Sequence, residues 1–232
     1  MVIRKDCLGK DHLDVATSFN NMAEIYGSQS NYKQSLDLNQ KALLIRKASL
    51  GELHPDIAES LDNMALDHNG QGNYDVALEF SKQALKIRKT CFGENHPHVA
   101  TSFNNLACIY EDLGNYDKAL ECNQQSLLIS KACLGDSHPD IAVSLNNLAG
   151  IYGYKSNYES ALEYYEQALL ISKSCLGDSH PDVSATLSNM ALIYTEQGNY
   201  ENALDLNRQA LKISTVSLGD KHLSVASIIS NL

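Results

Sequence analysis

The stretch Leu134–Tyr152 reads LGDSHPDIAVSLNNLAGIY, and Leu176–Tyr194 reads LGDSHPDVSATLSNMALIY. The two copies begin 42 residues apart and keep the histidine, the proline and an asparagine. A phrase repeated at fixed spacing encodes architecture, because one supersecondary unit is being written several times. The same step separates His12, His54, His96, His138, His180 and His222. It also separates Asn31, Asn73, Asn115, Asn157 and Asn199, each followed by a tyrosine. A third series is Asn21, Asn63, Asn105, Asn147 and Asn189. Full units therefore span 12–53, 54–95, 96–137, 138–179 and 180–221 within a single array over 1–232. Residues 1–11 read as the tail of a preceding unit, and 222–232 as the start of a further helix.

Each unit reads as two helices. In 96–137, Pro97 suits a first helical turn, where its missing N–H costs nothing. Val99, Phe103, Leu106, Ala107 and Tyr110 follow helical spacing. Gly114 can close that helix in the left-handed conformation. Asn115 can cap the next helix through its side-chain oxygen. Tyr116, Ala119, Leu120, Leu127 and Ile129 then form a second apolar face. Lys131 sits near the end of that helix, as do Lys47, Lys89 and Lys173, where a cation opposes the helix dipole. Small residues mark the close approaches: Ala23, Ala65, Ala107, Ala149 and Ala191, then Ala77, Ala119, Ala161 and Ala203 with Ser35, then Ala42, Ala84, Ala168 and Ala210 with Ser126. A single helix pair cannot bury its own apolar face, so stacked pairs share a core. The expected fold is all-α, a solenoid of stacked antiparallel helix pairs.

The 232 residues carry a net charge of −10 and a pI near 5.2, which disfavours a nucleic-acid partner. No apolar run approaches the roughly 20 residues that span a bilayer, so no membrane partner is expected. Residues 1–12 lack the apolar core of a signal peptide. Cys7, Cys91, Cys133 and Cys175 occupy one register position, which Ser49 and Ser217 fill elsewhere. The reading is reduced, semi-buried thiols and a cytoplasmic setting. The histidine ladder invites a metal, but ligands must converge within about 2.0–2.1 Å of one ion. Equivalent residues on stacked helices lie about 8–10 Å apart. The histidines are therefore expected to bond within their own turns, and no cofactor or metal is expected. His68, at a position held elsewhere by Tyr26, Tyr110, Tyr152 and Tyr194, marks a softer core.

The pattern LGDSHPDIAVSLNNLAGIY…NYESALEYYEQALLI and its copies resemble tetratricopeptide repeats of the kinesin light chain and nephrocystin type. The resemblance covers essentially the whole chain. It implies a right-handed superhelix whose first helices line a concave groove. It further implies that Asn21, Asn63, Asn105, Asn147 and Asn189 clamp the backbone of a bound peptide. An amide donates and accepts at once, which suits a peptide group. The alternative is that these amides brace neighbouring helices. Asn20, Asn104 and Asn146 adjoin the series, with Asp62 and Ser188 in the other units. The coiled coil that joins a kinesin light chain to its motor is not in this sequence, so the reading is a fragment or another protein built from the same repeat.

The first-helix segments 12–28, 54–70, 96–112, 138–154 and 180–196 contain no lysine or arginine. They carry Glu24, Glu59, Asp62, Glu111, Asp112 and Glu196 instead. The related chaperone-type domains use basic first-helix residues for a terminal carboxylate, and kinesin light chains use basic groove residues for acidic cargo. Neither set is present here. A neutral or basic protein segment is therefore the expected partner. The function expected is a protein-interaction scaffold, a kinesin-light-chain-like adaptor module. The alternative is end-to-end self-assembly through the apolar edges at 2–8 and 223–232. No nucleophile with a base and no phosphate loop is legible, so an enzyme is not expected.

Overall fold

A computed structural model describes residues 9–219 and 222–230. Among them are eleven helices and no strand. The first helices of the pairs are α1 (Leu13–Ser28), α3 (Pro55–Gly70), α5 (Pro97–Asp112), α7 (Pro139–Tyr154) and α9 (Pro181–Glu196). The second helices are α2 (Tyr32–Leu50), α4 (Tyr74–Phe92), α6 (Tyr116–Leu134), α8 (Tyr158–Leu176) and α10 (Tyr200–Leu218). A short α11 (Leu223–Ser230) follows. The chain forms two compact units, residues 1–129 and 130–232, with the division inside α6.

The histidines start the first helices. In His12, His54, His96, His138, His180 and His222 the Nδ1 accepts the backbone N–H two residues on, each at 3.2 Å. This satisfies one of the donors that a helix start leaves unpaired. The first helices reverse into their partners through a left-handed residue. Gly72, Gly114 and Gly198 hold it at φ 74–76°, and Ser30 and Ser156 hold it at 58° and 57°. The following asparagine caps the second helix at Asn115, Asn157 and Asn199. Asn31 and Asn73 do not cap. Their amides donate to Gln34 and Gln71 side chains instead, because a glutamine lies within reach of the turn. The lysine at the second-helix end reaches forward into the next turn, Lys47 to Glu52 and Lys89 to Glu94.

In the first unit, α1 packs on α2 and α3 on α4, and α2–α3 and α4–α5 contacts stack the pairs. Val15, Phe19, Ala23, Leu38 and Ala42 form one apolar cluster, and Ile57, Leu61, Ala84 and Ile87 another. In the second unit, α7 packs on α8 and α9 on α10, with α8–α9 contacts between the pairs. Tyr165, Met190 and Ile193 join Ala149 and Ala161 there, and Val183, Leu187 and Ala210 pack with Ile228 of α11. The three small-residue series are buried throughout. Each alanine lets a neighbouring helix approach, so a larger side chain would cost roughly 1–3 kcal/mol of strain.

Two sequence expectations change. The thiols of Cys91, Cys133 and Cys175 are exposed, not semi-buried, because their position falls at the helix end. Two of them bond the preceding turn, Cys91 Sγ to Leu53 O at 3.0 Å and Cys175 Sγ to Ser137 O at 2.8 Å. Cys7 lies outside the described residues. At His68, expected to mark a softer core, the ring stacks on Phe80 with centroids 5.6 Å apart, while its Nδ1 is buried with no partner among the described residues. The second change concerns the acids of the first helices.

Candidate functional site

The candidate residues separate by depth. Asn21 and Glu24 are exposed on α1, and Asn63, Asn105, Asn147 and Asn189 are half-buried on their first helices. The amides of Asn63, Asn147 and Asn189 have no bonding partner among the described residues and meet solvent. Asn105 instead turns its amide toward the Asp62 carboxylate. The adjoining series lies deeper than a surface strip. Asn20 is 3% exposed, with both amide atoms buried and unpartnered among the described residues. Asn146 donates to Ala142 O at 3.2 Å and to Thr186 Oγ1 of α9 at 3.0 Å, bracing two first helices. Asn104 is half-buried, with its Oδ1 enclosed.

Two of the acids are wired to arginines from second helices. Arg46 of α2 is buried and donates to Asp56 O at 2.8 Å and Ser60 Oγ at 2.9 Å. Its other terminal nitrogen lies 3.1 Å from Glu59, whose side chain is 55% exposed. Arg88 of α4 pairs with Asp62 and donates to Ser102 Oγ of α5 at 2.6 Å. Asp62 is 7% exposed. Burial pushes its carboxyl above the ordinary range, while Arg88 and then Asn105 draw it back. Glu59 and Asp62 therefore do not present free negative charge. Glu24 stays exposed, and Glu111 is half-buried with its carboxyl raised by burial and by Asp112. Asp112 in turn accepts from the Asn69 amide.

One pocket of about 280 Å³ in the first unit gathers Glu24 and Asn63, two of the candidate residues, with Gly27, Asn39, Leu66 and Asp67. Asp67 and Asn39 were not legible as site residues. Asp67 carried a signal in its register, standing where other units have Ile25, Ile109, Ile151 and Ile193, whereas Asn39 recurs as Asn123 and Asn207 and carried none.

Elsewhere the chemistry is sparse. No group of three or more His, Cys, Asp or Glu converges on a common point among the described residues. His96 and His98 face each other at 5.1 Å, and Phe92 stacks on His96 at 4.3 Å. Burial holds the thiol of Cys122 up at about 11, with Glu121 adding to it. No described helix is long and apolar enough to cross a membrane. Of the two edges considered for self-assembly, 2–8 lies outside the described residues. In α11, Leu223 and Ile229 are exposed while Val225 and Ile228 are buried.

Tetratricopeptide repeat matches, two units at a time, cover 14–90, 56–132, 98–174, 140–215 and 182–232, and the chain belongs to the tetratricopeptide repeat family. Repeats of this family build protein-interaction scaffolds. Among solved structures, the chain is similar to BtubC (BKLC) from P. vanneervenii, with a TM-score of 0.75 and 23% identity over 94% of this chain and 86% of that one. It is also similar to a Podosopora anserina protein described as a kinesin light chain with nearly identical TPR-like repeats. There the TM-score is 0.71 and the identity 24%, over 89% of this chain and 98% of that one. Aspartyl phosphate phosphatase F from Bacillus subtilis aligns with a TM-score of 0.78 at 14% identity, over 99% of this chain and 58% of that one. At these identities the likeness is one of fold. No curated protein sequence matches the chain.

Proposed function

We propose that the chain is a non-catalytic adaptor of the kinesin-light-chain kind, taking an extended or helical segment of a partner protein along its first helices. The observation that carries this reading is the set of solvent-facing amides at Asn63, Asn147 and Asn189. Each can donate to a peptide carbonyl and accept from a peptide N–H, which reads backbone without demanding a side chain. Their repetition at one register supports a ligand that runs along several helices. A bracing role is the alternative for this series, and Asn105, turned to Asp62, fits it. The partner is a neutral or basic segment, on the strength of Glu24, Glu111 and Glu196 and of first helices without lysine or arginine. The setting proposed is the cytoplasm, in keeping with free, exposed cysteines.

A random peptide-display library panned on the wild type and on Asn63→Ala/Asn147→Ala/Asn189→Ala tests the reading. Enrichment by the wild type, with affinities at least tenfold weaker in a triple variant of unchanged circular dichroism, is the expected result. Unchanged binding by the folded variant would show that these amides are scaffold and overturn it.

A further inference from the structure

We infer that the pocket among α1, α2 and α3 is an anchor for one basic side chain, a lysine or arginine of the bound segment, held by Asp67 and Asn39. This deepens, and rests on, the peptide-binding reading above.

The first argument is what the chain has replaced. At Asp67 the other units place isoleucine, and Ile109 and Ile151 are fully buried. At Ser35 they place Ala77, Ala119, Ala161 and Ala203. Two apolar positions have become polar at one spot, and Gly27 leaves room above them. A methyl at Gly27 would stand 3.2 Å from Asp67 Oδ1 and 3.6 Å from Ser35 Oγ. The substitutions open a cavity and line its floor with oxygen.

The second argument is what those oxygens lack. Asp67 is 4% exposed. Its Oδ2 accepts from Asn39 Nδ2 at 3.0 Å. The Ser35 hydroxyl beside it donates to Ala23 O at 2.9 Å and also lies against the carboxylate, which it helps to stabilise. No lysine or arginine among the described residues pairs with Asp67, in contrast to Asp62 with Arg88. Asn39 is 1% exposed, and its Oδ1 is buried with no partner among the described residues. A buried acceptor without a donor, as at Asn39 Oδ1, is costly unless something supplies the missing hydrogen bond. Burial also pushes the Asp67 carboxyl up, while Ser35, Asn39 and the neighbouring His68 draw it part of the way back.

The third argument is shape and charge at the mouth. Glu24 adds an exposed carboxylate at the rim, and Leu66 and Tyr32 give apolar surface for an alkyl stem. A basic side chain has this profile, with a methylene stem and a head that only donates. Asn63 lines the same pocket, so the anchor would sit beside a backbone-reading amide. The other four repeats have isoleucine at this register, so the repeat 54–95 would set the position of a basic residue in the ligand.

The test titrates the full chain with N-acetyl-lysine amide, N-acetyl-arginine amide and N-acetyl-norleucine amide, read by protein NMR at the Asn39 side-chain amide and the backbone of 63–67. The expected result is saturable shifts from the lysine or arginine probe and none from norleucine. Affinity should fall at least tenfold in Asp67→Asn and in Asp67→Ile, the residue of the other units. Absence of a saturable shift from both basic probes overturns the inference, as does undiminished binding by both variants. A free diamine, putrescine, binding more than tenfold tighter than both amino-acid amides would also overturn it, because the pocket would then be a small-amine site. The two readings fail separately. Lysine-amide binding with no peptide enriched by the library keeps the pocket and removes the peptide groove. Enriched peptides without a basic position, together with silent probes, do the reverse.

Discussion

Replacing Arg88 with methionine keeps most of the side-chain volume and removes the cation beside Asp62. Arg88 and Asp62 are 10% and 7% exposed, so neither regains much water when its partner leaves. Asp62 Oδ1 already lacks a partner among the described residues. Breaking a buried pair from one side costs about 3–5 kcal/mol, because the remaining charge is uncompensated. Arg46→Met is the internal control. Its acid, Glu59, is 55% exposed and stays hydrated, so that variant loses mainly the bonds to Asp56 O and Ser60, about 1–2 kcal/mol. Adding Asp62→Asn to Arg88→Met removes the stranded charge and installs the residue found at Asn20, Asn104 and Asn146. The double variant should therefore recover most of the loss, with a coupling of roughly 2–3 kcal/mol. Urea denaturation followed by circular dichroism gives the energies, and hydrogen exchange over 55–70 and 97–112 localises them. A cost below about 1 kcal/mol for Arg88→Met, or strict additivity in the double variant, would refute the claim that this pair is a desolvated unit.

Two further outcomes are expected. Ser156→Gly should stabilise the protein by about 0.5–1 kcal/mol, since Ser156 holds φ at 57° where Gly72, Gly114 and Gly198 do the same work in other units; thermal denaturation reads it, and a loss of stability would contradict the assignment of strain. Asp67→Asn should raise stability at neutral pH and not in acid. The folded carboxyl is raised by burial, so the native state binds its proton more tightly than the unfolded chain does. The wild type is then favoured below the ordinary carboxylate value and loses that advantage as pH rises through the folded value. The gap between variant and wild type should widen over that window and then stay level; a gap that narrows as pH rises would reverse the sign.

The repeat made most of the fold legible. Histidine before proline marked helix starts, and the alanine series marked close contacts, because the same physical demand recurred five times over. The arginine wiring was not legible in that way. Arg88 lies 26 residues from Asp62, on the second helix of the same unit, and its other bond goes forward to Ser102 in the next one. The first helices by themselves carry acids and neither lysine nor arginine. The missing signal was departure from register: Arg46 and Arg88 stand where Ser130, Ser172 and Ser214 stand in later units. Asp67 among isoleucines is the same kind of signal. Periodicity locates scaffold, and the positions that break it at buried registers locate specialisation.

The period also makes neighbouring units interchangeable. Were residues 54–95 lost, His96 would follow Leu53, and the turn would close on an equivalent histidine. Arg46, now bonded to the carbonyl of Asp56 and the hydroxyl of Ser60, would meet the carbonyl of His98 and the hydroxyl of Ser102 at the same offsets. A gene of this kind can recombine between its own copies and yield a chain that still folds, shorter or longer by one period. Length then becomes a trait that changes in single genetic steps, while the backbone turns recur and only the specialised contacts are exchanged, Glu59 for Thr101 beside Arg46 and Asp67 for Ile109 beside Asn39.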